Sequence, residues 1–449
     1  MFQRINTLIF LVANAISFLG SESILAAELK LPPPSTNSDF YDYGENAEAK
    51  QELGRLLFYD KILSGNLNIS CATCHHSLTG TTDGLSLPVG EGGRGLGVTR
   101  DSGSGEDRIH ERVPRNSPHV FNLGAKEFEV MFHDGRVAVE PSRPSGYLSP
   151  AGDELPDGLD NVLAVQALFP VTSATEMAGQ AGENPQADFA AAGNLPGVWN
   201  FIAEKIKNIP EYVSLIKKAY GVEKEDISYV QIANALATFE AMAWRFDNSP
   251  FDQYLRGDKN ALSNNAKKGL ELFYGKAKCA SCHSGTFQTD HKFYSIAMPQ
   301  VGPGKGDGEG HEDFGRAKVT KKTRDRYRFR TPTLRNVKLT GPWGHAGAYN
   351  SLEAVIEHHI NPIRSLMNYD LRQLVMPKVE NFLESDFMIM NDIEALAKIA
   401  KSSQINMPQL SKTEIQDILT FLDSLTDTAA FDMRNDVPAR LPSGLPVAD

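Results

Sequence analysis

Cys71-Ala-Thr-Cys-His75 and Cys279-Ala-Ser-Cys-His283 use all four cysteines of the chain in two copies of one pattern. Two thiols three residues apart can add across the two vinyl groups of one haem, and the adjacent histidine then reaches the iron from the same face. A redox dithiol does not need that histidine. A zinc site needs more thiols or a paired histidine spacing, and neither stretch supplies them. The pattern predicts two covalently bound haem c groups, one on Cys71 and Cys74, the other on Cys279 and Cys282. His75 and His283 are then the proximal iron ligands, and His76 reads as a bystander.

The residues before each pair resemble one another. Gly54-Arg-Leu-Leu-Phe-Tyr-Asp-Lys61 and Gly269-Leu-Glu-Leu-Phe-Tyr-Gly-Lys276 agree at five of eight positions. Both read as amphipathic helices, with Leu53, Leu56 and Leu57 on one apolar face and Leu270 and Phe273 on the other's. Ser263 is a candidate N-cap for the second. Helix, turn and attachment site recur, which predicts an internal duplication. The fold expectation is mainly α, with two cytochrome c-like haem domains. Their expected bounds are residues 48–250 and 251–430, followed by a tail over 431–449. Ile227 to Trp244 is helical in pattern, and Phe251 to Asp258 marks the boundary. Glycine-rich stretches at Gly90–Gly105 and Val301–Gly310 are expected as loops over the haem edges. Ser411 and Glu414 form a capping box opening a helix that carries Ile415, Ile418, Leu419 and Leu422 on one face.

Composition sets outer bounds. The chain has 449 residues, 41% of them hydrophobic, enough to bury a core. Its formal net charge of -11 argues against nucleic acid as a partner. Lys318 to Arg330 runs the other way, with three lysines and four arginines against one aspartate. It reads as a solvated basic loop, a docking patch or a cradle for haem propionates. Residues 1–27 read as a signal peptide: Arg4 precedes the apolar run Ile5 to Leu19, and small residues follow at Ala26 and Ala27. An uncleaved anchor is the alternative for that run. No later segment is long and apolar enough to span a bilayer. An exported chain with a soluble mature part, located in the periplasm, is the expectation.

With these motifs in view, the chain resembles the bacterial di-haem cytochrome c peroxidase family, including relatives of the methylamine-dehydrogenase-maturation type. The resemblance runs over roughly residues 48 to 425 and rests on ordered motifs. Pro114-Arg-Asn-Ser-Pro118, Phe132-His-Asp-Gly-Arg136, Gln166 and Glu176 follow the first haem site. Tyr327-Arg-Phe-Arg-Thr-Pro-Thr-Leu-Arg-Asn-Val337, Leu339-Thr-Gly-Pro-Trp-Gly-His-Ala-Gly347 and Ser351-Leu-Glu-Ala-Val355 follow the second. The resemblance implies that peroxide is reduced at the first haem and that the second takes electrons from an external donor. It places Glu176 on the family's catalytic carboxylate and Gln166 on its companion amide. A carboxyl in a partly desolvated pocket can take the first peroxide proton and return it to the leaving oxygen. From sequence alone Glu176 also reads as a surface residue. The resemblance further implies a calcium ion between the haem domains, held by the Asn116 side chain and the backbone oxygens of Thr340 and Pro342, hard ligands that suit it. A homodimer is a family-level expectation.

Two positions depart from the family pattern. Where the family has a tryptophan that relays electrons between the haems, this chain has His133. Imidazole is much harder to oxidise than indole, which leaves tunnelling past His133, a path through Trp343, or a plain hydrogen bond from His133 to a haem propionate. The far-side ligand of the second haem is a methionine or tyrosine in the family, fourteen residues after the position of His345. Counting from His345 reaches His359, beside His358. Bis-histidine ligation by His283 and His359 is expected to lower the potential relative to Met/His ligation. His110 is a candidate for blocking the first haem, although its spacing does not match.

Three functions compete. The leading one is reduction of hydrogen peroxide to water, with electrons from a small cytochrome or copper protein. The second is peroxide-driven oxidation of a partner protein. The third is a non-enzymatic di-haem electron carrier or sensor, against which Glu176 and Gln166 argue.

Overall fold

The computed structural model describes residues 29–105, 108–308 and 310–448. The signal-peptide expectation for residues 1–27 lies outside the described residues. From Pro32 onward the described chain packs as one compact unit. Among the described residues helices dominate, and the strands form two small antiparallel sheets: β1 (Val130–Met131), β2 (Val137–Val139) and β3 (Tyr147–Leu148) in that order, and β4 (Phe293–Tyr294) with β5 (Phe329–Arg330).

Two helix crossings organise the molecule. Helix Ala47–Tyr59 buries Leu53, Leu57 and Phe58 against helix Tyr229–Ala243. The axes meet at Gly54, where a Cβ would lie 1.9 Å from the Ala235 carbonyl oxygen and 2.8 Å from Phe239 Cβ. Helix Asn264–Tyr274 meets helix Lys412–Asp423 in the same way. A Cβ on Gly269 would lie 1.9 Å from the Asp417 oxygen and 2.8 Å from Phe421 Cβ. Glycine is required at both points because backbone touches backbone. Both crossings hold the phenylalanine of the repeated motif: Phe58 tilts against Phe239 at 5.4 Å, and Phe273 against Phe421 at 5.1 Å.

Capping follows the expectation. Ser263 Oγ accepts from Ala266 N–H at 3.1 Å. Ser411 and Glu414 close a reciprocal box, with Ser411 N–H donating to Glu414 Oε2 at 2.8 Å. The larger core belongs to the first half and reaches from Phe40 through Trp244. A smaller one in the second half gathers Tyr327, Leu366, Ile389 and Ile399.

The sheets hold the motifs that bind the halves. Strands β1 (Val130–Met131) and β2 (Val137–Val139) pair Met131 with Val137, so Phe132 to Arg136 is the connecting turn. Phe132 and Gly135 turn the chain with φ of 66° and 68°. Strand β4 (Phe293–Tyr294) pairs with β5 (Phe329–Arg330). Arg330 N–H donates to the His133 carbonyl at 2.8 Å and joins the first half's turn to the second half's sheet.

Residues 431–448 return across the first half as a strap. Trp244 Nε1 donates to Asp436 Oδ2 at 3.0 Å, Ser443 Oγ to Asp60 Oδ1 at 2.7 Å, and Lys61 Nζ to the Ala448 carbonyl at 2.9 Å. Met433 and Leu441 are buried in the first-half core. Among the described residues no helix is long and apolar enough to cross a membrane.

Candidate functional site

One cavity gathers most of the first-half residues singled out by sequence. Its walls include Cys71, Cys74 and His75, with Gln166 and Glu176. Asn116 and His133 join them. The cavity is partly open to solvent, and most of its lining is apolar, as a planar cofactor with apolar faces requires. Glu176 is half-buried and sits on a π-helical turn, Ala174–Ala178, an irregularity common at functional sites. Gln166 ends helix Val162–Gln166, whose N-cap Asn161 accepts from the amides of Leu163 and Ala164 at 3.0 Å.

The donor set fits haem attachment. None of the four cysteines is in a disulfide. Burial, with a smaller contribution from Glu240, pushes the Cys71 thiol up to about 12, and burial pushes Cys279 up to about 12. Reactive redox dithiols show the opposite shift. His75 Nδ1 lies 3.2 Å from the Thr81 carbonyl and His283 Nδ1 lies 3.3 Å from that of Gln288. A backbone carbonyl that takes the Nδ1 proton fixes the tautomer in which Nε2 can ligate a metal. Burial lowers the pKa of both rings, that of His283 to about 4 with help from His359, which favours the uncharged form that a metal ligand needs. His76 faces elsewhere: its Nδ1 accepts from Leu78 N–H at 3.1 Å and its ring packs edge-on against Tyr59.

Around the second attachment site the two adjacent histidines of helix Leu352–Ile360 separate. His358 is fully buried, with Nδ1 accepting from the Tyr349 hydroxyl and Nε2–H donating to the Ile296 carbonyl, both at 2.8 Å. His359 donates Nδ1–H to the Val355 carbonyl at 2.8 Å, and its Nε2 has no hydrogen bond among the described residues. His359 is near enough to His283 that its imidazole opposes charge on the His283 ring.

Arg115, which lines the first cavity, centres a buried ionic cluster. Arg115 gives Nη1–H to Asp134 at 2.7 Å and binds Asp313 through Nε and Nη2 at 2.7 and 2.8 Å. Burial alone would raise the Asp134 carboxyl, but Arg115 and Arg136 outweigh it and hold it at about 2. Arg115 likewise holds Asp313 well below the usual carboxylate range. His133 donates Nε2–H to the Asn116 carbonyl at 3.1 Å, and burial with Arg115 lowers its pKa to about 4. The His345 ring stacks on Phe329 at 3.7 Å, and neither ring nitrogen has a partner among the described residues. The Asn116 side-chain NH₂ donates to the carbonyls of Leu85 and Ser86, at 2.8 and 3.2 Å, which leaves the Oδ1 lone pairs uncommitted by those bonds. Asn116 N–H donates to the His345 carbonyl at 2.8 Å, and His345 follows Thr340 and Pro342 closely in the chain.

Some expectations fall outside this cavity, and some residues in it had escaped the sequence reading. His110 is half-exposed beside Glu183, at 3.8 Å, in a separate polar pocket. Glu240 and Lys305 line the first cavity unforeseen. The one signal for Glu240 was a lone carboxylate in the apolar run from Ile232 to Trp244. Lys305 comes from the glycine-rich loop after the second attachment site, and nothing local pointed to it. Arg330, from the basic run, also reaches the cavity.

A cavity that brings Cys71, Cys74 and His75 together with Glu176 and Gln166 suits a haem protein, and similarity to known proteins agrees with that. The family described as di-haem cytochrome c peroxidase matches residues 48–260. Methylamine utilization protein MauG of Methylorubrum extorquens is 30% identical over 368 residues, covering 80% of this chain and 81% of that protein. Cytochrome c551 peroxidase of Pseudomonas aeruginosa is 32% identical over 301 residues, covering 67% and 68%. The crystal structure of a MauG-like protein associated with microbial copper homeostasis shares the fold, with a TM-score of 0.58 at 23% identity over 91% of this chain and 97% of that one. The chain belongs to the di-haem cytochrome c peroxidase family, whose relatives include both peroxidases and MauG proteins.

Proposed function

We propose that this chain is a periplasmic peroxidase that reduces hydrogen peroxide to water at the first cavity. Electrons enter through the second haem site from a small cytochrome or copper protein. The observation that carries this is the shared cavity of Glu176, Gln166, Cys71, Cys74 and His75. When bound, the haem supplies the iron that engages peroxide and passes electrons to it. The protein supplies the proton handling. The Glu176 carboxylate takes the proton from one peroxide oxygen and returns it to the other, so that the second oxygen leaves as water. The Gln166 amide orients the oxygens by hydrogen bonding. Overall, one peroxide, two electrons and two protons give two waters.

His75 would hold the first haem iron, and His283 with His359 the second. The unpartnered Nε2 of His359 supports it over His358. A calcium ion bound by Asn116 Oδ1 and the carbonyls of Thr340 and Pro342 would brace the halves. The matched glycine crossings at Gly54 and Gly269 support an internal duplication, with haem domains over 48–250 and 251–430. A homodimer is the assembly the family reading suggests.

Oxidative maturation of a partner protein is the second reading. The histidine at 359, in place of methionine, favours it, as does the likeness to a MauG protein. Half-reducing the purified protein and adding peroxide, with and without a donor protein, separates the two. Rapid turnover with the donor supports the peroxidase. A long-lived oxidised state that decays only when a target protein is added overturns it in favour of maturation.

A further inference from the structure

Helix Tyr229–Ala243 buries Ile232, Leu236 and Phe239, and then Glu240, which is only 6% exposed. Glu240 Oε2 has no hydrogen-bond partner among the described residues, and the side chain lines the cavity that holds Cys71 and His75. A buried carboxyl without a partner costs free energy unless something in the working protein repays it.

The other helix crossing shows what the position holds when nothing is asked of it. Gly54 abuts Ala235 and Phe239 at the distances at which Gly269 abuts Asp417 and Phe421. In that alignment Glu240 corresponds to Leu422, a buried leucine. The geometry accepts an apolar side chain, and the carboxyl occurs only in the half whose cavity also holds Glu176 and Gln166.

The groups around Glu240 are few. Cys71 faces it from the attachment turn and Tyr43 from the segment before the first helix. Helix Ala47–Tyr59 meets this stretch with Gly54 and Phe58, neither of them titratable. Cys74, His75 and Glu176 also line the cavity. Burial alone raises the Glu240 pKa, to about 8, with no basic side chain to oppose it.

We propose that Glu240 binds a proton from solvent each time the first cavity gains an electron, and releases it when the electron leaves. The inference rests on reading that cavity as a haem site. An external one-electron reductant supplies the electron. The proton forms an O–H bond on the carboxylate, so the net charge of the cavity is unchanged. In a low-dielectric cavity an added negative charge raises the proton affinity of a nearby carboxyl, and linkage requires that protonation eases reduction in return.

Spectroelectrochemical titration of the di-haem holoprotein at several pH values tests this. In the wild type, the first-haem potential falls by up to 59 mV for each tenfold drop in proton activity near neutrality. Redox-difference infrared spectra gain a protonated-carboxyl band on reduction. Glu240→Gln and Glu240→Leu flatten the first-haem pH slope and remove the band, while the second haem keeps its slope. A slope and band unchanged in either haem-loaded variant assign the proton elsewhere and overturn the proposal. So does a flat potential with no band in the wild type. A wild-type spectrum lacking two haems would instead overturn the underlying reading of the cavity.

Discussion

The rings of His358 and His359 stand nearly perpendicular, at 89°, with centroids 6.2 Å apart on one helix. Both hydrogen-bonding atoms of His358 are used by the fold, through Tyr349 and Ile296. His359 spends only Nδ1, on a carbonyl one turn back. A ligand histidine needs that second arrangement, since Nε2 must be free and its partner nitrogen anchored.

Replacing His359 by Ala is expected to convert the second haem from low-spin to a spectrum with an open or water-filled position, with folding preserved. Replacing His358 by Ala should leave the ligation spectrum unchanged and cost roughly 1–3 kcal/mol, because the Tyr349 hydroxyl and the Ile296 carbonyl lose a buried partner. Low-temperature magnetic spectra and denaturant melts read the two effects separately. Retention of the low-spin signal in His359→Ala would exclude His359.

Glu176→Gln should lower peroxide turnover by about 10² to 10⁴-fold, the usual loss when a positioned proton carrier is removed. Its haem absorbance and melting temperature should match the wild type. Steady-state assays with a one-electron donor check this, and turnover within threefold of the wild type would remove Glu176 from the chemistry.

Acid should loosen the joint between the halves. The Asp134 carboxyl is held at about 2 in the fold, because Arg115 and Arg136 outweigh its burial. A carboxyl with a depressed pKa stabilises fully above its unfolded value and loses that contribution as pH falls through the folded one. Stability is therefore expected to drop between about pH 4 and pH 2, by on the order of 2 kcal/mol from Asp134 alone. Arg115→Met leaves two buried carboxylates without their shared cation. It should cost about 3–5 kcal/mol at neutral pH and recover part of that on acidification, the reverse of the wild type. Urea titrations across this pH range test both signs.

Gly54→Ala and Gly269→Ala should each destabilise by roughly 1–3 kcal/mol, the usual cost of overpacking. The added methyl would meet a backbone carbonyl in both, at Ala235 and at Asp417. Thermal melts of the two variants are expected to shift alike. A neutral result at either would mean that the helices can part without loss.

The attachment turns, the repeated helices and the caps at Ser263 and Ser411 were readable because each is set by residues within a few positions of one another. Phe132 to Arg136 was readable as a motif, but not as the turn of a hairpin whose carbonyl receives Arg330 from the far half. The pairing of Arg115 with Asp313 was invisible for the same reason: ionic partners so far apart in the chain carry no mutual signal. Glu240 was hidden differently. Its neighbours mark a core helix, and only the cavity opposite gives the carboxyl a context. For His358 and His359 the count along the chain reached the pair, and hydrogen bonding from Tyr349 and Ile296 told them apart.

The strap over residues 431–448 bears on the order in which the protein is built. It anchors Trp244 through Asp436, and Trp244 packs edge-on against Phe58, which lines the first cavity. A polypeptide made from its N-terminus has residues 71–75 in place long before that anchor exists. Until Asp436 arrives, Trp244 lacks its hydrogen bond from the strap, and the Phe58 wall of the cavity lacks that brace.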